Sequence, residues 1–210
     1  MKINDETSWL RFLDVEELQK LRRKTWTFVY WPFEEDDDVT VMRMKVRNLA
    51  RVFESRVTPS LISPIHDSDI KDDGTVAKAH VHVVLFFEQP VRYKYVLQFI
   101  NYALGLDTVK YVEPVHNVRA MMRYLTHMDN LEKAQYDPLD VIEVAGAKHV
   151  IEDETASEMV VQAILDNRFK TITSTLNYFN ANPSARKWIV NNPGLVKTLC
   201  KEQEKHDFNI

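Results

Sequence analysis

Residues 79–87 constrain the fold of this chain more than any other stretch. They read Ala-His-Val-His-Val-Val-Leu-Phe-Phe, and such a density of β-branched and aromatic residues is typical of a β-strand. Side chains two residues apart in a strand point to the same face. We therefore expect His80 and His82 to lie side by side on one face. The alternate residues should face the core: Ala79, Val81, Val83 and Leu85.

The elements around this strand predict an α+β fold. Apolar periodicity indicates helices at 14–24, 39–55, 91–104 and 116–128, and further strands at 26–31, 57–65, 108–114 and 140–145. This order lacks the strict strand-helix alternation of a doubly wound sheet. Only four glycines occur in the chain, so glycine-rich turns between strand and helix are missing too. We expect an antiparallel sheet flanked by helices.

The character of the chain changes after about residue 150. Residues 155–158 have the layout of a capping box, and Asn-Pro pairs at 182–183 and 192–193 suggest turns between helices. We predict three or four short helices and no strand over 154–206. Such helices bury little surface alone, so they should pack on the first domain or on copies of themselves. The predicted domains are 1–148 and 149–210.

Composition limits the class of protein. No stretch of the 210 residues approaches the ~18–20 apolar residues of a membrane span, and the N-terminus lacks the layout of a signal peptide. We therefore expect a cytoplasmic protein with no membrane partner. Because Cys200 is the single cysteine, an intramolecular disulfide and a cysteine-based zinc site are excluded.

The charge balance limits how the chain can bind nucleic acid. The net charge is −4, with 20 Lys and Arg against 23 Asp and Glu in residues 1–150, and 7 against 8 in residues 151–210. Proteins that bind phosphate backbones usually carry a basic surplus. Any affinity for DNA must therefore come from a local patch, or from a metal ion and a few well-placed groups.

The paired histidines have a second group of polar residues nearby. If strand 57–65 pairs with strand 79–87 as a hairpin, His66 and Asp69 come close to His80 and His82. Three nitrogens and one carboxylate oxygen suit Mn²⁺, and also Mg²⁺ if the ion is held loosely. The alternative is two ordinary histidines on a half-exposed strand beside a common polar turn.

A candidate nucleophile lies in the helix predicted at 116–128. The buried stripe of this helix should consist of Val118, Met121, Met122 and Leu125. Tyr124 lies about a quarter-turn from that stripe at ~100° per residue, so its ring is held while its hydroxyl stays exposed. The alternative is a boundary tyrosine that is merely packed by its ring.

Three motifs together resemble a known family. They are Ser63-Pro-Ile-His66-Asp-Ser-Asp69, Lys78-Ala-His80-Val-His82-Val83 and Arg123-Tyr124-Leu-Thr-His127. In this order they resemble the plasmid replication initiators, or Rep proteins, of the HUH endonuclease superfamily, and in particular the branch named for streptococcal rolling-circle plasmids. The first strand, within residues 24–32, also resembles that branch. The resemblance covers roughly residues 24–145.

The resemblance implies a fold and a site. The fold would be a five-stranded antiparallel sheet flanked by helices, with a small all-α domain after it that drives oligomerisation, often into a ring. A divalent metal would be held by His66, Asp69, His80 and His82, and Tyr124 would be the nucleophile. His127, three residues further on, is a candidate to help Tyr124 lose its proton.

The resemblance also implies an activity. The protein would nick plasmid origin DNA, single-stranded at the nick and duplex at the binding repeats, and leave a 3′-hydroxyl as primer. A host helicase and polymerase would be its partners. Three alternatives stay open: a relaxase or transposase of the same superfamily, a nucleic-acid-binding module without catalysis, and a metal-dependent hydrolase of small molecules.

Overall fold

The computed structural model describes residues 20–71, 73–105, 108–167 and 169–207. The chain divides into two compact units, and the division falls between Ala147 and Lys148. The helix predicted at 14–24 lies mostly outside the described residues. Its described end was predicted wrongly, because Arg22, Arg23 and Lys24 belong to a β-strand.

The first unit is built on an antiparallel sheet. Five strands are present among the described residues, in the order β4-β1-β3-β2-β5, and every neighbouring pair is antiparallel. This confirms the predicted α+β class and the five-stranded sheet. The strands are β1 (Arg22–Tyr30), β2 (Ser60–Ile62), β3 (Val81–Arg92), β4 (Glu113–Pro114) and β5 (Ile142–Val144).

Three helices of the described chain accompany the sheet: α1 (Val39–Ser55), α2 (Tyr93–Leu104) and α3 (Val118–Tyr124). Helix α1 has the predicted bounds, and the Asp38 side chain caps its start by accepting a hydrogen bond from the Val41 amide. Helix α3 ends four residues before the predicted end at 128. The chain then forms a turn in which His127 has a positive φ of 58°.

One face of the sheet forms an apolar core with helices α1 and α2. Alternation along β1 and β3 places Trp26, Phe28, Val83 and Leu85 on this face, where each is nearly or fully buried. Phe53 of α1 packs edge-to-face on Phe28, with ring centroids 6.4 Å apart. The opposite face of β3 carries His82. The core was therefore predicted correctly, including the direction of the histidine pair.

Two predicted strands are shorter than expected. The strand predicted at 57–65 is reduced to Ser60–Ile62, between Pro59 and Pro64. Proline has no N–H to donate to a strand ladder, so the prolines limit regular pairing on both sides. The strand predicted at 108–114 is reduced to Glu113–Pro114, and it pairs with β1 at a sheet edge.

The second unit is helical in the part that the structure describes. Its first helix begins at Ala147, so the residues read as a capping box at 155–158 lie inside a continuous helix and do not start it. The helices are α4 (Ala147–Asn167), α5 (Ile172–Tyr178), α6 (Pro183–Asn191) and α7 (Pro193–Asp207). They enclose a core of their own around Val160, Ile164 and Ile189. None of the described helices is long and apolar enough to cross a membrane.

Candidate metal centre

The hairpin of β2 and β3 brings three histidines together. Beyond the end of β2, His66 pairs with His80 through two backbone hydrogen bonds of 2.8 and 3.2 Å. The ring centroid of His66 lies 5.2 Å from that of His80 and 5.0 Å from that of His82. One ligand atom from each residue lies within 4.8 Å of the other two. The predicted hairpin therefore juxtaposes these side chains as expected.

Backbone carbonyls fix which nitrogen of two of these rings carries the proton. His66 Nε2 lies 3.0 Å from the Leu125 carbonyl oxygen, and His80 Nδ1 lies 3.0 Å from the Lys78 carbonyl oxygen. Since a carbonyl only accepts, each of these nitrogens is the N–H donor. The lone pair is therefore on Nδ1 of His66 and on Nε2 of His80, as is usual for histidine ligands of metals.

The Nδ1 atom of His66 is a buried acceptor with no hydrogen-bond donor among the described residues. Leaving such an atom unsatisfied costs about 1–3 kcal/mol. Asp69 Oδ2 lies 3.8 Å away, but it carries lone pairs and cannot donate when ionised. Two facing acceptors beside two more imidazoles fit a divalent cation between them.

Burial keeps this cluster of imidazoles neutral. Burial, with the neighbouring His127 and His80, lowers the pKa of His66 from 6.5 to about 4, against the opposing effects of the Leu125 carbonyl and Asp69. Burial also lowers the pKa of His80, and it holds the pKa of His82 well below its usual value. At neutral pH the rings therefore offer lone pairs, which is the form that binds metals.

Asp69 belongs to a second group of ligand atoms that also includes His66. Its carboxylate groups with His66 and His127, and the ligand atoms of these three lie within 4.8 Å of one another. Asp69 Oδ1 lies 3.4 Å from His127 Nδ1 and 3.4 Å from the Tyr136 hydroxyl. The four predicted ligands thus fall into two overlapping groups that share His66, and Asp69 is grouped with His127 rather than with His80 and His82.

Tyr124 is the last residue of α3 and borders the cluster. Its half-buried ring meets that of His82 edge-on, with centroids 5.2 Å apart. The Lys133 ammonium lies 5.6 Å from the centroid of the same tyrosine ring. One part of the predicted stripe was wrong: Leu125 is fully buried, but Met122 is 41% exposed.

Two further residues complete this arrangement, in positions that no sequence pattern predicted. Tyr136 stacks on His66 with centroids 4.4 Å apart and an interplanar angle of 6°, and burial raises the pKa of Tyr136 to about 12. His127, expected beside Tyr124, lies nearer to His66, with ring centroids 4.4 Å apart against 5.9 Å from Tyr124. Both lie in irregular chain after α3, where no periodicity marks them.

Known proteins share the part of the chain that holds this site. Residues 19–149 match the family model "Plasmid replication protein, origin binding domain". The chain is 36% identical over 86 residues to the replication protein RepB of Lactiplantibacillus plantarum. It is 26% identical over 133 residues to a replication protein of Staphylococcus aureus, and 31% identical over 131 residues to the RepB of Streptococcus agalactiae.

The matched stretches cover 41%, 63% and 59% of this chain. They span 38%, 60% and 57% of those three relatives. The family match extends over the whole described sheet, the histidine cluster and Tyr124. The resemblance drawn from the three motifs is thereby confirmed: this chain belongs to the plasmid replication protein family and carries its origin binding domain over residues 19–149.

Proposed function

We propose that this protein initiates rolling-circle replication of a plasmid by nicking one strand of the origin with a metal-dependent tyrosine nucleophile. The observation that carries the proposal is the position of Tyr124 against His82, at the border of a buried cluster of neutral histidines. A group that can attack phosphorus thus lies next to a set of ligands that can hold a cation. Transfer of a phosphodiester needs both.

The metal would be held by His66 Nδ1, His80 Nε2, an imidazole nitrogen of His82 and the Asp69 carboxylate. Nitrogen donors with one carboxylate favour Mn²⁺, with Mg²⁺ as the weaker alternative. When bound, such an ion neutralises charge that develops on the phosphate oxygens. The unsatisfied Nδ1 of His66 supports this assignment independently of the family.

The chain's own residues would then carry out a single displacement at phosphorus. The Tyr124 hydroxyl oxygen forms a bond to the scissile phosphorus and gives up its proton to solvent. The bond from phosphorus to the 3′-oxygen breaks, and that oxygen takes up a proton to become a free 3′-hydroxyl primer. The 5′-phosphate stays on the tyrosine. The Lys133 ammonium near the ring would attract the phosphate, because the phosphate is anionic.

Nicking of supercoiled plasmid carrying candidate origins tests this function. With Mn²⁺ the wild-type chain should convert the plasmid to the open circle, and His80→Ala and His82→Ala should abolish conversion. His116→Ala is the matched control, because His116 is an exposed histidine outside the cluster. If the chain only binds nucleic acid, neither the wild type nor any variant should nick the plasmid. If it is a hydrolase of small molecules, the plasmid should also stay intact.

The nicking chemistry is shared by relaxases and transposases of the same superfamily, but the family match concerns plasmid replication proteins. Origin DNA, duplex at its binding repeats and single-stranded at the nick, is therefore the proposed partner. A strand extruded from a supercoiled origin would meet the second requirement. A relaxed plasmid should consequently be nicked more slowly than a supercoiled one, while a single-stranded oligonucleotide spanning the nick should be cut in either case.

The helical unit is proposed to mediate self-association, with a ring as one form. Several large apolar side chains of this unit are exposed: Leu165, Tyr178, Val190 and Leu195. A chain shortened to residues 1–148 should stay folded, nick single-stranded DNA and sediment as a monomer. The full-length chain should sediment as an oligomer at tens of micromolar, roughly the weak end of specific association, and a monomer there would refute self-association.

A further inference from the structure

The turn that follows α3 holds His127 in a conformation that glycine normally adopts. The His127 amide donates to the Tyr124 carbonyl at 3.1 Å, and the Met128 amide donates to the Arg123 carbonyl at 3.0 Å. These two bonds and the positive φ of 58° at His127 define a Schellman motif. A residue with a Cβ pays about 1–2 kcal/mol for this backbone conformation.

The imidazole of His127 is buried, with 2% of the residue exposed. Its Nδ1 lies 2.9 Å from the Ala134 carbonyl oxygen and 3.4 Å from Asp69 Oδ1. Because a carbonyl only accepts, Nδ1 carries the proton and donates it to the Ala134 carbonyl. The Asp69 carboxylate lies beside this N–H and is attracted to its positive end. Oδ1 of Asp69 also accepts a hydrogen bond from the Tyr136 hydroxyl at 3.4 Å, while Oδ2 lies 3.8 Å from the unpartnered Nδ1 of His66.

We propose that His127 is a positioning residue whose Nδ1–H holds the Asp69 carboxylate in the orientation that binds the metal. The proposal rests on the metal centre described under the proposed function. It assigns His127 to the ligand Asp69 rather than to the nucleophile, because the His127 and Tyr124 rings are 5.9 Å apart. Glycine would relieve the strained backbone, but it would also remove the N–H that lies beside Asp69.

The chain supplies a matched control for the backbone strain. Val57 follows α1 in the same motif, with a φ of 51°. Its amide donates to the Glu54 carbonyl at 2.9 Å, and the Thr58 amide donates to the Phe53 carbonyl at 3.0 Å. The Val57 side chain is 80% exposed. Val57→Gly therefore relieves the same strain without removing a buried partner.

The test uses Mn²⁺ titrated by calorimetry into the metal-free, full-length chain and three variants. His127→Gly keeps the turn and removes the imidazole, so the Kd for Mn²⁺ should rise about 10–100-fold. Asparagine tolerates a positive φ, and in His127→Asn its side-chain amide N–H takes the place of Nδ1–H. The Kd of this variant for Mn²⁺ should therefore stay within about threefold of the wild-type Kd. Val57→Gly should leave the Kd unchanged.

Each outcome decides the proposal. An unchanged Kd in His127→Gly would show that the imidazole does not support the metal ligands. A loss in His127→Asn of more than about tenfold, the lower bound for removing a supporting residue, would make His127 a ligand and overturn the positioning role. The Kd of His127→Asn therefore tests the positioning role even if His127→Gly fails to fold. Failure of wild type to bind Mn²⁺ would instead count against the proposed metal centre itself.

Discussion

The two faces of the sheet differ in how their buried groups are satisfied. On the face covered by α1 and α2, residues such as Trp26, Phe53 and Val83 are buried among other apolar side chains. On the face that carries His82, buried imidazoles lie close together, and Thr27 Oγ1 and His66 Nδ1 have no hydrogen-bond partner in the described part of the chain. The core face has one such atom, Ser60 Oγ, which the register puts beside Leu85.

This difference indicates a division of tasks between the faces. Apolar burial contributes roughly 25 cal/mol per Å² and makes the core face the source of stability. Buried imidazoles and unpaired acceptors lower the stability of the histidine face. Local arrangements that cost stability persist where the surrounding structure holds them, and they are typical of functional sites.

Truncation of the core face should cause the largest loss of stability. Phe53→Ala removes a fully buried ring, and such changes cost about 3–5 kcal/mol. His82→Ala in the metal-free protein should cost clearly less, since it also removes a buried polar group. Urea unfolding of both variants without metal measures the two losses. Equal losses would contradict the proposed division between the faces.

Acid should weaken the histidine face in the metal-free protein. The pKa of His66 is about 4 when folded and 6.5 when unfolded, so the unfolded chain binds the proton more readily. Stability is therefore complete above pH 6.5 and falls as the pH drops towards 4, by up to about 3 kcal/mol from this one group.

Urea unfolding at a series of pH values measures this slope. Carboxylates elsewhere also respond to acid, so His66→Gln is the comparison, because glutamine does not titrate. The wild-type chain should lose more stability than His66→Gln between pH 6.5 and 4. Parallel pH profiles would show that the burial of His66 does not act on stability.

Metal should stabilise the protein through the histidine face alone. Mn²⁺ at a hundred times its Kd should raise the free energy of unfolding by about 2.7 kcal/mol. Phe53→Ala should keep this increment, although its starting stability is lower, and His82→Ala should lose most of it. Thermal unfolding with and without Mn²⁺ measures both increments. An increment retained in His82→Ala would remove that histidine from the proposed ligand set.

The regular parts of the fold were readable from the sequence, because one periodic pattern determined each of them. Apolar spacing gave the bounds of α1, and alternation in residues 79–87 gave both the strand and the direction of His80 and His82. The hairpin then brought His66 near them. Helix α4 was located less well, because residues 155–158 satisfy a capping-box pattern while lying inside a longer helix.

The irregular part of the site could not be predicted in the same way. Tyr136 and His127 reach His66 through turns after α3, and a sequence pattern does not define the path of such a turn. The hydrogen bond between His66 Nε2 and the Leu125 carbonyl joins residues 59 positions apart. Which nitrogen of His66 is left for a metal depends on that tertiary contact, and local sequence does not contain it.

If Tyr124 is the nucleophile, cleaved DNA should become attached to its hydroxyl oxygen. A single-stranded oligonucleotide spanning the nick site is incubated with Mn²⁺ and the full-length chain, and peptide mass spectrometry locates the adduct. We expect the 5′-phosphate on Tyr124. Tyr124→Phe should keep folding and Mn²⁺ binding but lose several orders of magnitude in rate. An adduct on Tyr136 or Tyr111, or full activity in Tyr124→Phe, would show that Tyr124 is not the nucleophile.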